Sequence, residues 1–347
     1  MKRIALLYLF YILPVAAIAQ DGITDPIPST QPGKYQLEQI QRKYGMFIHF
    51  SINTFHDVEW SDGTLPASSY NPTTVDADQW AKTARDAGMK YIILVTKHHD
   101  GFCLWDSKYT DYDVANSGNK TNVIEALAKA CNKYHIGLGL YYSLWDRHQN
   151  ANVDDTTLDR AYNAYMIDQL KELLAITKKC HTKVVEFWFD GSWLKKNTRW
   201  PVAEIYSTIK SREPQCQVGI NWSIGLPGDE DKPSVLPTAQ KEGYPIRYFP
   251  SDFRLGDPYL PATPDPKLFS HDGKQYYMPW ESTMCISRYW FYNTIDTVYK
   301  SIAVLAKDYK IATVQNNILI LDTPPDRQGK IRQKDIEVLM ELKKAVE

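Results

Sequence analysis

The chain has 347 residues, of which 44% are hydrophobic and 13% aromatic, enough apolar side chain to fill one large α/β domain or two small ones. Forty basic residues against forty-one acidic ones leave a net charge of −1, which provides no electrostatic footprint for nucleic acid or an anionic membrane. The cysteines (Cys103, Cys131, Cys180, Cys216 and Cys285) are odd in number, widely spread and without a C-x-x-C pair, which argues against both a disulfide framework and a zinc knuckle.

The first nineteen residues read as a signal peptide. Lys2 and Arg3 give a positive start, residues 4–18 are an apolar run, and Ala17-Ile18-Ala19 is the small-x-small pattern of a cleavage site, so the mature chain is expected to begin near Gln20. A run of about fifteen residues is short for a membrane span, and no cysteine follows the cleavage site to carry a lipid. An exported protein, periplasmic and free of the membrane after cleavage, is the expectation. Residues 20–36, with Pro26, Pro28, Pro32 and Gly33, read as a lead-in, and 37–347 as a single domain.

Apolar strands then alternate with amphipathic helices. Residues 46–50 form a short apolar run; Asp76 with Gln79 resembles a capping box opening a helix that Gly88 is placed to end. YIILV at 91–95 is a continuous β-rich run, as expected for a strand buried on both faces. Asn122 with Glu125 opens the next helix, 136–144 is a strand, 157–178 a long helix, 184–189 a strand, and Pro201 sits at the first turn of another helix. A short strand at 217–220 follows. Residues 223–280 are proline-rich and aperiodic and read as long loops. Helix 295–307, strand 318–321 and helix 333–346 complete the pattern. Repeated strand-then-helix means parallel strands, in a barrel or a doubly wound sheet. No G-x-G-x-x-G or Walker sequence follows a strand, which favours a barrel.

Functional residues of such barrels stand at the carboxyl ends of the strands. That rule selects His49, then His98-His99-Asp100, then Tyr141 and Tyr142, then Trp188 and Asp190-Gly191, with Trp188 and Trp193 as walls around Asp190. Asp190 can serve as a fixed carboxylate for attack on an anomeric carbon, or as a cap for the loop behind it. Successive histidines in extended chain point to opposite sides, and no H-E-x-x-H or i,i+4 histidine pair is present, so no metal is expected; imidazoles that hydrogen-bond sugar hydroxyls fit the pattern better.

Taken in order, KYGMFIHFSINTF, VEW, KHHDGFCLWDS, GLYYS, FWFDG, PWE and NNILILDTPPDRQGKI resemble the α-L-fucosidases of glycoside hydrolase family 29, over about residues 40–345. The resemblance implies an irregular (β/α)8-like barrel that hydrolyses terminal α-L-fucose with retention, without metal or organic cofactor, on a fucosylated oligosaccharide or glycoconjugate. It implies Asp190 as nucleophile, and His49, Glu59, Trp60, His98, His99, Tyr141 and Trp188 as the fucose pocket. Trp290, ten residues beyond Trp280-Glu281, is implied as the wall beside the sugar's methyl group.

The acid/base of one family branch is a Glu ending a D-F-x-T-x-E-like segment. Here the matching segment, from Ser251 to Asp257, ends in Asp257. An Asp arm is one methylene shorter, so the backbone must approach more closely to keep the carboxyls about 5–5.5 Å apart; Glu230, Glu242 and Glu281 are the other acids in reach. Where the family often carries an Arg, this chain reads Gly219-Ile220-Asn221-Trp222, so that guanidinium contact is either absent or supplied elsewhere, by Arg247 or Arg254. The family's usual C-terminal β-sandwich has no counterpart before Glu347, so a barrel alone is expected. Two rival readings stay open: the same chemistry on another glycone such as α-L-galactose, and a non-catalytic fucose-binding barrel.

Overall fold

The computed structural model describes residues 26–149, 156–196, 199–228 and 235–347; the expected signal segment and Glu230 lie outside the described residues. Eight parallel strands close into a barrel in the order β1-β10-β9-β6-β5-β4-β3-β2. They are β1 (Tyr44–Ile48), β2 (Tyr91–Lys97), β3 (Gly137–Ser143), β4 (Val184–Asp190), β5 (Gln217–Asn221), β6 (Phe253–Leu255), β9 (Trp280–Cys285) and β10 (Ile318–Asp322). The remaining two, β7 (Leu268–His271) and β8 (Lys274–Tyr277), form an antiparallel hairpin outside it.

Side chains of alternate strand residues divide into two cores. Phe47, Tyr91, Ile93, Val95, Tyr141, Trp188, Phe253, Leu255 and Ile320 fill the barrel interior. Their neighbours in sequence, among them Met46, Ile92, Leu94, Leu140, Phe187 and Phe189, pack outward against the helices. Both faces of the strands are therefore dry, which is why β2 and β10 read as nearly unbroken apolar runs.

The outer ring holds α2 (Ala77–Asp86), α3 (Val123–Tyr134), α4 (Thr156–Lys179), α5 (Val202–Lys210), α6 (Ile302–Val314) and α7 (Gln333–Val346). Both anticipated caps form: Asp76 accepts from Gln79 N at 3.1 Å, and Asn122 from Glu125 N at 2.9 Å. Pro201 is the N-cap of α5 rather than a first-turn residue. Among the described residues no α-helix joins β5 to β6, and the hairpin stands between β6 and β9. The ring is irregular there.

Three expectations are corrected. The lead-in runs into a helix, α1 (Lys34–Arg42), whose Gln36 donates to the carbonyls of Asp252 and Tyr277 and whose Gln39 donates to Glu186; it covers the amino-terminal mouth of the barrel. Residues 223–280 are not loops throughout, since they supply β6 and the start of β9. The helix expected at 295–307 runs instead from Ile302, capped by Ser301, whose hydroxyl accepts from Val304 N at 3.3 Å.

Candidate active site

At the carboxyl mouth, β4 ends on Asp190 and the chain turns at once. Gly191 adopts a left-handed conformation (φ 73°), and a Cβ there would lie 2.6 Å from Trp145 Cβ, so only glycine fits without displacing β3's loop. The turn brings the Gly191 N–H back onto Asp190 Oδ1 at 2.8 Å. Tyr141, one strand over on β3, donates its hydroxyl to Asp190 Oδ2 at 2.9 Å, and Asn221, one strand over on β5, donates Nδ2 to Oδ1 at 2.9 Å. Burial raises the Asp190 carboxyl above its ordinary 3.8; these three donors and the nearby His49 oppose the rise.

Asp257 meets Asp190 through a shared partner. Asn221 Nδ2 donates to Asp257 Oδ1 as well as to Asp190 Oδ1. Two acceptors on one nitrogen stand no more than about 6 Å apart. The short aspartate arm reaches because Asp257 is two residues past the end of β6, not on a remote loop. Gly256 makes the approach possible, for a Cβ there would come within 2.6 Å of the Trp280 ring. Burial first, and the Asp190 charge second, push Asp257 up to about 6, which leaves this carboxyl the more readily protonated of an interacting pair.

The histidines surround the two acids. His49 Nδ1 lies 2.6 Å from Asp322 Oδ1 at the end of β10, so the carboxylate accepts the Nδ1–H, and in the neutral ring Nε2 is the acceptor. The Ser143 hydroxyl donates to Trp145 O at 2.5 Å and thus accepts from His99 Nδ1 at 2.7 Å; the same tautomer follows. Burial, then the charges of His49, Arg147 and Lys97, lower His99 to about 3. His99 is therefore neutral, and its 3.6 Å approach to Asp190 Oδ2 is neither a hydrogen bond nor an ion pair. His98 is likewise held neutral, chiefly by burial.

The rings of His98 and His99 lie 4.2 Å apart, which corrects the expectation that they diverge: β2 ends at Lys97, so strand alternation no longer applies. Lys97 itself is fully buried against Asp146 at 2.8 Å and anchors the start of this turn. Among the described residues no cluster of three or more His, Cys, Asp and Glu is arranged to hold a metal ion.

Aromatic rings form the floor and walls. Tyr141 stacks on Trp188 (5.4 Å), and Phe47 meets both. Trp188 is 1% exposed, a floor residue rather than the wall anticipated beside Asp190. Trp193 does reach the rim, edge-on to His99 at 5.7 Å, as does Trp60, against His99 and Trp145. Trp290 faces His49 at 5.3 Å. Glu59 is solvent-exposed at the rim, yet partial loss of hydration and the charges of Asp257 and Asp190 raise its carboxyl, with His49 and a Trp60 hydrogen bond opposing. Tyr142, by alternation, points away and donates to Gln169.

Four residues of the mouth went unselected from sequence or were given another meaning: Asn221, Asp322, Trp145 and Phe291, whose ring meets His49 and His98. Of these, Asn221 and Asp322 carry the strand-end signal that selected the others. The alternative acids are engaged elsewhere. Glu242 accepts from the backbone of Lys267 and Leu268, and Glu281 is buried near the barrel floor with Tyr91 and Glu186. Arg254 does not replace the missing guanidinium; it is fully buried on Asp265 at 2.7 Å. Arg247 donates to Trp222 O at 3.3 Å.

The alpha-L-fucosidase family profile matches residues 53–346. Alpha-L-fucosidase 1 of Arabidopsis thaliana is 33% identical over 91% of this chain and 60% of its own length, so the chain spans less than two thirds of that relative. A glycoside hydrolase 29 family member from a rumen bacterium superposes with a TM-score of 0.70 at 27% identity, covering 92% of this chain and 57% of its own. Alpha-L-fucosidase isoenzyme 1 from Paenibacillus thiaminolyticus gives 0.67 at 25%, covering 89% and 75%. With a closed barrel, a mouth of paired aspartates and a profile match across most of its length, this chain belongs to the alpha-L-fucosidase family, glycoside hydrolase family 29.

Proposed function

We propose that the chain is a retaining exo-α-L-fucosidase acting on fucosylated oligosaccharides or glycoconjugates. The observation that carries this reading is the pair Asp190 and Asp257 on one Asn221 nitrogen, a spacing that suits direct attack and leaves little room for an intervening water. In the first step an Asp190 oxygen bonds to the anomeric carbon as the glycosidic C–O bond breaks. Asp257 gives its proton to the departing oxygen. Water then yields a proton to Asp257 and its oxygen to the anomeric carbon, which frees Asp190.

The roles of the surrounding groups follow from their chemistry. His49 and His99 present Nε2 acceptors to sugar hydroxyls, Glu59 and Trp60 close the rim, and Tyr141 holds the nucleophile. His98 Nδ1 and Trp188 Nε1 have no protein partner among the described residues, which suits polar contact with a sugar over a stacked floor. Trp290 offers an apolar face for the fucose methyl group. Export to the periplasm, with cleavage near Gln20, is also proposed, on the sequence of residues 1–19 alone; amino-terminal sequencing of the native protein tests it.

The direct test of function is Asp190→Ala. Turnover of an aryl α-L-fucoside is expected to fall at least 10³-fold with circular dichroism unchanged. Near-normal turnover in the variant removes Asp190 as nucleophile, and a wild-type protein that binds fucose without hydrolysing any fucoside removes the enzyme reading.

A further inference from the structure

The two-step reaction proposed above moves a negative charge from one side of the mouth to the other. It begins on Asp190; once the sugar is bonded there and the proton has left Asp257, it sits on Asp257. Among the described residues, Asn221 is the one whose side chain donates to both carboxylates. Its place in the barrel explains why. β5 lies between β4 and β6 in the closed sheet, with Asn221 registered against Leu255, so its terminal side chain stands between Asp190 at the end of β4 and Asp257 just beyond β6. Asn221 is 1% exposed. Reversing the amide would aim Oδ1 at two carboxylate oxygens, so the donor orientation is fixed by repulsion as well as attraction.

We infer that Asn221 is a positioning residue that serves both half-reactions, its two Nδ2 hydrogens keeping one donor on Asp190 and one on Asp257 so that the anion is met wherever it forms. The inference rests on the reading of Asp190 and Asp257 as nucleophile and acid/base. A neutral amide suits this task better than a cation. A permanent positive charge between the acids favours ionisation of both and strips Asp257 of the proton it must deliver. The other titratable groups around the pair are His49 beyond β1, His99 beyond β2, Tyr141 on β3, Cys285 at the end of β9 and Glu59 on the rim. None of them is hydrogen-bonded to both acids among the described residues.

The test compares wild type, Asn221→Ala and Asn221→Ser on an aryl α-L-fucoside across pH 4–8, with carboxyl carbon NMR titrations of Asp190 and Asp257 in the same proteins. Each hydrogen bond from Asn221 favours an ionised carboxylate. Losing both is expected to raise both titration midpoints and to slide the acid and alkaline limbs of kcat/KM together to higher pH, by about half a unit or more, while kcat falls on the order of 10–100-fold. Asn221→Ser keeps one donor and is expected to move one limb only; it also carries the test if the alanine variant does not fold. A profile that loses height with neither limb displaced, or NMR midpoints unchanged in both variants, overturns the inference. A wild-type protein without fucosidase activity overturns the reading beneath it, while the NMR midpoints report the bridge separately.

Discussion

Removing the Asp257 carboxyl distinguishes a general acid from a group that merely shapes the pocket. Burial and the Asp190 charge lift Asp257 from 3.8 to about 6. At pH 5 a carboxyl with a midpoint near 6 is about nine-tenths protonated, against about six per cent for one at 3.8, so the setting enlarges the competent acid roughly fifteenfold. Asp257→Ala is expected to cost 10²- to 10⁴-fold in kcat/KM for a fucosyl disaccharide, whose leaving alkoxide needs a proton, or about 3–5 kcal/mol of barrier. α-L-Fucosyl fluoride departs without that help, so its first step is expected to be nearly unaffected. Wild-type activity on the disaccharide falls as pH rises through about 6, because Asp257 must stay protonated; it also falls toward low pH, because Asp190 must stay ionised. With the fluoride the alkaline limb should vanish and the acid limb remain. Azide added to the variant replaces the base-activated water and yields α-L-fucosyl azide, with configuration retained. Equal losses on both substrates, or an inverted azide product, would refute the role assigned to Asp257.

Two further perturbations probe groups outside the aspartate pair. Asp322→Asn turns an acceptor of the His49 Nδ1–H into a group able to donate to it, so the other tautomer forms and Nε2 loses its acceptor role; fucose binding measured by calorimetry is expected to weaken about tenfold or more, and unchanged affinity excludes His49 as a hydroxyl acceptor. Glu186 and Glu281 share the dry barrel floor, where burial pushes Glu186 up to about 7. A folded-state value above the unfolded one means the native protein binds more protons, so stability is lost as pH rises from about 4.5 to 7. Glu186→Gln is expected to remove that loss, raising unfolding free energy at pH 8 by up to about 3 kcal/mol and leaving it little changed at pH 4; denaturant unfolding with an equal gain at both pH values would contradict the account.

The parts of the fold legible in the sequence are those where burial selects one kind of residue. YIILV and ILILD sit in β2 and β10 with both faces dry, so apolar continuity reveals them. β6 and β9 hide because each buries polar side chains among its apolar ones. In β6, Arg254 is enclosed yet satisfied by Asp265, eleven residues later, a pairing that no local pattern announces. β9 begins Trp280-Glu281, with a carboxyl that finds Tyr91 across the barrel at 2.9 Å. α1 escapes for the same reason: one of its two buried side chains is Gln39, whose partner Glu186 lies 147 positions away. Buried polar groups need partners, and partners distant in sequence are visible only once the chain has folded.

The same distinction divides the mouth. Asp190, His49 and Tyr141 announce themselves by ending strands, and that rule extends to Asn221 and Asp322, which end β5 and β10. What strand ends cannot express is adjacency. Closure of the ring sets β1 against β10, and this alone brings Asp322 to His49 across 273 positions. The His49 tautomer is therefore a property of the closed barrel, not of either segment. Asn221 depends likewise on β6 lying beside β5, since a displaced β6 does not bring Asp257 to the shared nitrogen. The chemistry of the mouth is specified residue by residue along the chain, whereas its protonation is specified by which strands become neighbours.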